Sequence, residues 1–166
     1  MNLGGLEIER RFLVKYPDLL KLRSCGSSST IVQTYLLTDD GTARVRKRCD
    51  KNGCVFTHTI KRRISNMTRE EIEREISEDE YISLLAFADP ERRPIEKERI
   101  CLSKGDFVFE IDIFPFWNDR AIMEVELSHE CQSFELPNEI QIIKEVTDNR
   151  KYTNSSLAVS VPMEAI

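Results

Sequence analysis

The chain has 166 residues, 40% hydrophobic and 32% charged, with 24 basic and 29 acidic side chains and a formal net charge of −5. That length suits a single domain over 1–166 with its own core, and the composition excludes bulk disorder. The acidic surplus excludes a duplex nucleic-acid binder that lives on phosphate contacts, and no apolar run approaches the ~20 residues of a membrane-spanning helix.

The opening MNLGGLEIER lacks the apolar core of a signal peptide. A strand is expected at 6–14, a helical turn near 16–23, and a flexible loop at Cys25-Gly26-Ser27-Ser28-Ser29-Thr30. Strands follow at 31–37, 42–49, 54–63 and 70–76, with Asp50-Lys51-Asn52-Gly53 as an Asn-Gly hairpin signal. The clearest helix is 77–88: Ser77 and Glu80 fit a capping box, Ile82, Leu84, Leu85 and Phe87 supply an apolar stripe, and Pro90 follows. Three more strands, 95–102, 107–114 and 121–128, and a short turn at 154–158 complete the reading, which makes eight strands. The five cysteines, Cys25, Cys49, Cys54, Cys101 and Cys131, are odd in number and scattered, which points to reduced thiols and a cytosolic protein. Cys49 and Cys54 have no second Cys or His pair, so a zinc site there is disfavoured.

Side chains two apart on a strand share a face. On that ruler Glu7, Glu9 and Arg11 align, as do Arg44, Arg46 and Arg48, and Thr57, Thr59, Lys61 and Arg63. Glu71, Glu73 and Glu75 align, then Lys97 with Arg99, Glu110 with Asp112, and Glu124 with Glu126. Seven strands therefore each offer one charged face. Chance placement of 29 acidic residues already yields roughly five acidic pairs at this spacing, so one reading is a sheet with its charged side in water. The other closes the sheet into a barrel with its charges inside.

Two features favour the inward version. The charges are segregated into acidic and basic strands, whereas a solubilising face mixes signs. Carboxylates ~4 Å apart also repel by about 4 kcal/mol at an effective dielectric near 20, so several in one cavity call for a cation. Hard carboxylate oxygens suit Mg²⁺ or Mn²⁺, and a chain of phosphates bridging metal and Arg/Lys suits both halves.

At these residues the sequence resembles the CYTH, or triphosphate tunnel metalloenzyme, family. Glu7-Ile8-Glu9-Arg10-Arg11 resembles its ExExK opening strand, Gln33-Thr34-Tyr35-Leu36 its QxYL, Arg44-Val45-Arg46 its RxR and Thr59-Ile60-Lys61 its T-x-K. Glu71, Glu73 and Glu75 resemble its ExExE strand, Lys97-Glu98-Arg99 its K-x-R strand, and Glu110-Ile111-Asp112 and Glu124-Val125-Glu126 its late acidic strands. Glu145-Val146-Thr147 and Tyr152-Thr153-Asn154 to Leu157 resemble its C-terminal EVT and Y-x-N-x-x-L signatures.

The resemblance implies an α+β, mainly β fold: a closed eight-stranded antiparallel β-barrel with a charged interior, flanked by a few helices. It implies a divalent-metal-dependent triphosphatase, with Glu7, Glu9, Asp112, Glu124 and Glu126 at metal-ligand positions and Arg11, Arg44, Arg46, Lys61, Lys97, Arg99 and Lys151 at phosphate positions. Glu73, Glu75, Glu124 or Glu126 is a candidate base for the attacking water, and Tyr35 is either catalytic or a phosphate contact. Arg11 replaces the Lys that closes ExExK, and a guanidinium that holds its proton is a poor general acid. Lys151 stands where an Arg is common. His58 falls opposite Lys61, His129 lies at a strand end, and Trp117 reads as a core or rim aromatic ahead of a base-stacking one.

Inorganic tripolyphosphate is the favoured substrate. The alternatives are a nucleoside, thiamine or RNA 5′-triphosphatase, an adenylyl cyclase, whose usual HF motif is absent, or a non-catalytic polyphosphate-binding module. A monomer or homodimer with no other protein partner is expected.

Overall fold

The computed structural model describes residues 5–166. Its strands are β1 (Gly5–Lys15), β2 (Ser27–Leu36), β3 (Thr42–Asp50), β4 (Gly53–Arg63), β5 (Thr68–Ile76), β6 (Ile95–Lys104), β7 (Phe107–Ile113), β8 (Arg120–Glu126) and β9 (Ile142–Glu145). Three short helices accompany them: α1 (Leu19–Cys25), α2 (Glu78–Leu84) and α3 (Asn154–Leu157). Around the sheet β5, β4, β3, β2, β6, β7, β8 and β1 are successive neighbours, and β1 pairs back onto β5. That last pairing closes an eight-stranded antiparallel barrel.

Closure depends on β1 serving three partners. Its residues 5–8 pair with β5 and residues 9–15 with β8. Where β5 departs, β9 takes the vacant side at Phe12, Leu13 and Val14. Arg10 clips β9 down from the outer face, with Nε and Nη2 donating to the two Glu145 oxygens at 2.6 and 2.8 Å. β9 is an addition to the eight expected strands, too short to show an alternating pattern.

The apolar side of the alternation lies outside the barrel, under α1 and the segment after β8. Phe12, Val14, Leu22, Ile100, Phe109, Ile111, Met123 and Val125 form that core, with Phe134 and Ile140 over it. α2 covers β3 and β4 through Tyr81, which packs with Val45, Phe56 and Ile76. A third cluster fills one end of the barrel itself. Leu13, Ile95 and Ile122 share the inward parity of the charged residues on their strands, and there they meet Tyr35, Phe114, Trp117, Tyr152 and Leu157.

Several local expectations are corrected. Residues 27–30 are strand and not loop, because Ser27, Ser28, Ser29 and Thr30 pair with β6 and satisfy their backbone groups there. The expected 77–88 helix is α2 followed by a 3₁₀ turn, Leu85–Phe87. Ser77 does cap it, accepting from Glu80 N, but Glu80 reaches back to Arg74, so the capping box is half made. Ile82 and Phe87 are exposed, and Tyr81 is the buried anchor. Cys49 and Cys54 are not free thiols: their register sets them directly opposite across the hairpin, Cα atoms 4.1 Å apart, and they form a disulfide. Cys25, Cys101 and Cys131 are free. No helix among the described residues is long and apolar enough to cross a membrane.

The β2–β3 turn depends on Gly41, at φ +66°, where an added Cβ would lie 2.1 Å from the Lys61 carbonyl oxygen. Gly41→Ala is expected to destabilise the chain by about 1–3 kcal/mol, read as a lowered midpoint in thermal or urea unfolding.

Candidate active site

The charged inner faces enclose a cavity of about 630 Å³. Glu7 and Glu9 on β1 face Glu124 and Glu126 on β8 across a register that pairs Glu9 with Glu126 and Arg11 with Glu124. Arg44, Arg46 and Arg48 on β3, Lys61 on β4 and Arg99 on β6 supply positive charge, with Glu71 and Glu73 on β5 between them. The solvated-face alternative is thereby excluded.

Most of the charges inside are answered by a neighbour. Arg11 Nη2 donates to Glu9 Oε1 at 2.6 Å, and its Nε reaches Glu124 Oε1 at 3.4 Å. Arg69 Nη1 donates to the same Glu9 oxygen at 3.0 Å. Lys61 Nζ bridges Glu7 at 2.8 Å and Glu71 at 3.4 Å. Glu73 accepts from Thr59 Oγ1 at 2.8 Å and from Arg46 Nη2 at 3.3 Å. Among the buried charges of the described residues Arg44 is the exception. It is buried, its Nη1 is 3.5 Å from Gln33 Oε1, no carboxylate pairs with it among the described residues, and its buried Nε has no partner at all.

The carboxylates feel their crowding. Burial, and then the charge of Glu124, push the Glu9 carboxyl up to about 8. Glu124, against the burial that would raise it, is held well below the carboxylate range by Arg11 and by a hydrogen bond from Glu9. The pair thus shares one proton at neutral pH. Glu126 is raised by burial and by Glu7 and Glu110, and Glu7 by burial against the pull of Lys61. Burial and the neighbouring Arg44 and Arg99 bring Arg46 down to about 10.

Four carboxylates on two adjacent strands, one still holding a proton, are a donor set that a hard divalent cation fits: its charge would replace that proton. Among the described residues no three His, Cys, Asp or Glu side chains converge as a ready cage, because Arg11, Arg69 and Lys61 occupy the carboxylate oxygens. Binding a cation would require those side chains to turn toward an anion.

The chain is 31% identical over 164 residues to the inorganic triphosphatase of Nitrosomonas europaea, an alignment covering 94% of this chain and 99% of that protein. It belongs to the CYTH family. A solved inorganic triphosphatase superposes with TM-score 0.57 at 29% identity, covering 94% of this chain and 96% of that one. A protein from Pyrococcus horikoshii gives TM-score 0.59 at 19% identity over 75% of this chain and 80% of its own, a likeness of fold. No family model matches the chain.

Most of the expected CYTH positions gather in the tunnel: Glu7, Glu9, Arg11, Tyr35, Arg44, Arg46, Lys61, Glu73, Arg99, Glu124 and Glu126 all line it. Four do not. Glu75 lies beyond the lining and is exposed, Lys151 points to solvent while its neighbour Arg150 lines the cavity, and Lys97 and Asp112 form a buried pair behind the wall. Tyr35 is 3% exposed, its hydroxyl accepting from Gln33 Nε2 at 3.2 Å. Trp117 is core, its Nε1 donating to the Pro162 carbonyl. His58 is on the outer face and His129 is exposed. Arg63, Arg69 and Arg150 also line the site. Arg69 was legible, standing two before Glu71 on the same face; Arg150 was not, because its segment has no strand alternation.

A carboxyl raised by folding binds a proton that the unfolded chain has released, so it makes stability fall as pH rises between the two values. The metal-free protein is therefore expected to lose unfolding midpoint between about pH 5 and pH 8. Glu9→Gln should flatten that slope in a thermal scan with chelator, and an unchanged slope would refute the assignment.

Proposed function

We propose that this chain hydrolyses the phosphoanhydride bond of a triphosphate, with inorganic tripolyphosphate as its substrate. The observation that carries the reading is Arg44: a buried guanidinium with an unpartnered Nε, set in a wall of arginines and facing carboxylates. A buried charged donor without an acceptor is expensive, and a phosphate oxygen supplies the missing acceptor. The named activity of the Nitrosomonas europaea relative supports the same chemistry.

Glu7, Glu9, Glu124 and Glu126 would hold a divalent metal, Mg²⁺ or Mn²⁺, which when bound withdraws charge from the phosphate oxygens and orients them. Arg44, Arg46 and Arg99 spread the negative charge that builds up on the transferring phosphoryl group, and they do so from fixed positions in a low-dielectric wall. Arg11 clamps phosphate and keeps its proton, so it does not serve as general acid. Glu73 lines the site but is held by Thr59 and Arg46, and Glu75 stands outside, so neither is free to take a proton from water. Positioning and electrostatic stabilisation account for the chemistry, as phosphoryl transfer allows.

An inorganic substrate is favoured over a nucleoside or thiamine triphosphate because Tyr35 is the only ring in the lining among the described residues, and it is buried. No aromatic face is offered for a base to stack on.

Phosphate release from tripolyphosphate, ATP, GTP and thiamine triphosphate with Mg²⁺ or Mn²⁺ tests the reading. Turnover of tripolyphosphate above the others, abolished by Glu126→Gln, is expected. Binding without turnover would leave a non-catalytic module, and preference for an organic triphosphate would overturn the substrate. Arg44→Gln should raise KM for tripolyphosphate about 10- to 100-fold, the loss of a charge-assisted hydrogen bond.

A further inference from the structure

The CYTH resemblance sets Lys97 against phosphate and Asp112 against metal, yet neither side chain reaches the cavity. They are 0% and 1% exposed, with Lys97 Nζ 2.7 Å from Asp112 Oδ2. Arg99, two residues along the same face of β6, does line the cavity. Its Nε donates to Asp112 Oδ1 at 2.7 Å and its Nη2 to Oδ2 at 2.9 Å. Asp112 thus accepts three charged N–H bonds, and the two cationic side chains that supply them already neutralise it. Arg99 also pairs with Glu110 through Nη1, which leaves two of its five N–H donors for a ligand. Lys97 Nζ makes one further bond, to Asn154 Oδ1 at 3.3 Å. Asn154 begins α3, whose first residues lie in the tunnel wall.

We propose that Lys97 and Asp112 are positioning residues that act through Arg99: the buried pair fixes the plane of the Arg99 guanidinium in the tunnel wall and ties it to the Asn154 turn. A free arginine must give up rotamer freedom when it grips a phosphate. Here Asp112 has immobilised the fork beforehand, and Lys97 keeps Asp112 in place. Burial lowers the Lys97 ammonium to about 8, while Asp112 across the contact favours its charged form. The pair therefore remains ionic at neutral pH, and its strength depends on exclusion from water. In its kinetic readout the inference rests on the triphosphatase reading above.

The test is a double-mutant cycle on tripolyphosphate turnover with Mg²⁺, using Lys97→Met, Arg99→Gln and the double variant. Lys97→Met is expected to raise KM about tenfold and leave kcat within about threefold, as a lost charge-assisted bond acting through an oriented ligand would. In the Arg99→Gln background the same change should have less than about a twofold effect. An equal factor in both backgrounds would make Lys97 a direct phosphate ligand and overturn the proposal. A second readout needs no substrate: the Arg99 Nε–H resonance, identified by its loss in Arg99→Gln, should be protected from solvent exchange and lose that protection in Lys97→Met. Unchanged protection there would overturn the positioning role even if tripolyphosphate proved not to be the substrate. Absence of turnover in the wild type, with protection behaving as expected, would count against the triphosphatase reading alone. Lys97→Gln serves in the same cycle if Lys97→Met does not fold.

Discussion

Charge buried in the wall of a barrel must be answered by a neighbour, because burial strips it of water. Removing a carboxylate or guanidinium from solvent costs several kcal/mol unless a partner replaces the hydration. Seven of the eight barrel strands carry inward-facing charges, and they meet this demand by setting an acidic arc, β7, β8, β1 and β5, against basic β6, β3 and β4. β1 and β8 carry the carboxylates that Arg11 and Arg69 bind, Lys61 on β4 meets Glu7 on β1 and Glu71 on β5, and β6 and β7 join Arg99 to Asp112. The fold and the site are therefore one arrangement. Arg44, whose Nε the wall leaves without an acceptor, and Glu9, which keeps its proton, mark where the compensation is incomplete. An anion would complete the first and a cation the second.

Much of this was legible because strand alternation is a strict ruler. Once Glu7, Glu9 and Arg11 share a face with each other and oppose Ile8, the inward set on β1 follows for every register that buries the apolar side. The eight strands followed from the same alternation, and the CYTH resemblance from the motifs that they carry and from those after them. What alternation does not measure is depth along the barrel. Asp112 and Glu110 share a face, but Asp112 lies below the cavity floor and Glu110 lines it. In the same way Lys97 is hidden where Arg99 is presented. Parity assigns a side, and only the stagger of neighbouring strands assigns a level.

The remaining misses have local causes. Residues 27–30 are three serines and a threonine after Gly26, yet β6 pairs with all four, and tertiary pairing overrides the loop signal. β9 is four residues long and is fixed by what it covers, the flank of β1 that β5 abandons. Cys49 and Cys54 read as unpaired because an odd count suggests free thiols, whereas the hairpin register that unites them is itself implied by the Asn-Gly turn between them.

The apolar cluster at one end of the barrel makes the cavity a blind one. Leu13, Ile95, Phe114 and Ile122 with Tyr152 and Leu157 fill the floor, and all six are 8% exposed or less. A guest that enters such a recess must back out the way it came, and so must the fragments made from it. Orthophosphate and pyrophosphate, each multiply charged, would share one doorway with the next incoming molecule. An accumulating product would compete there for the same arginines.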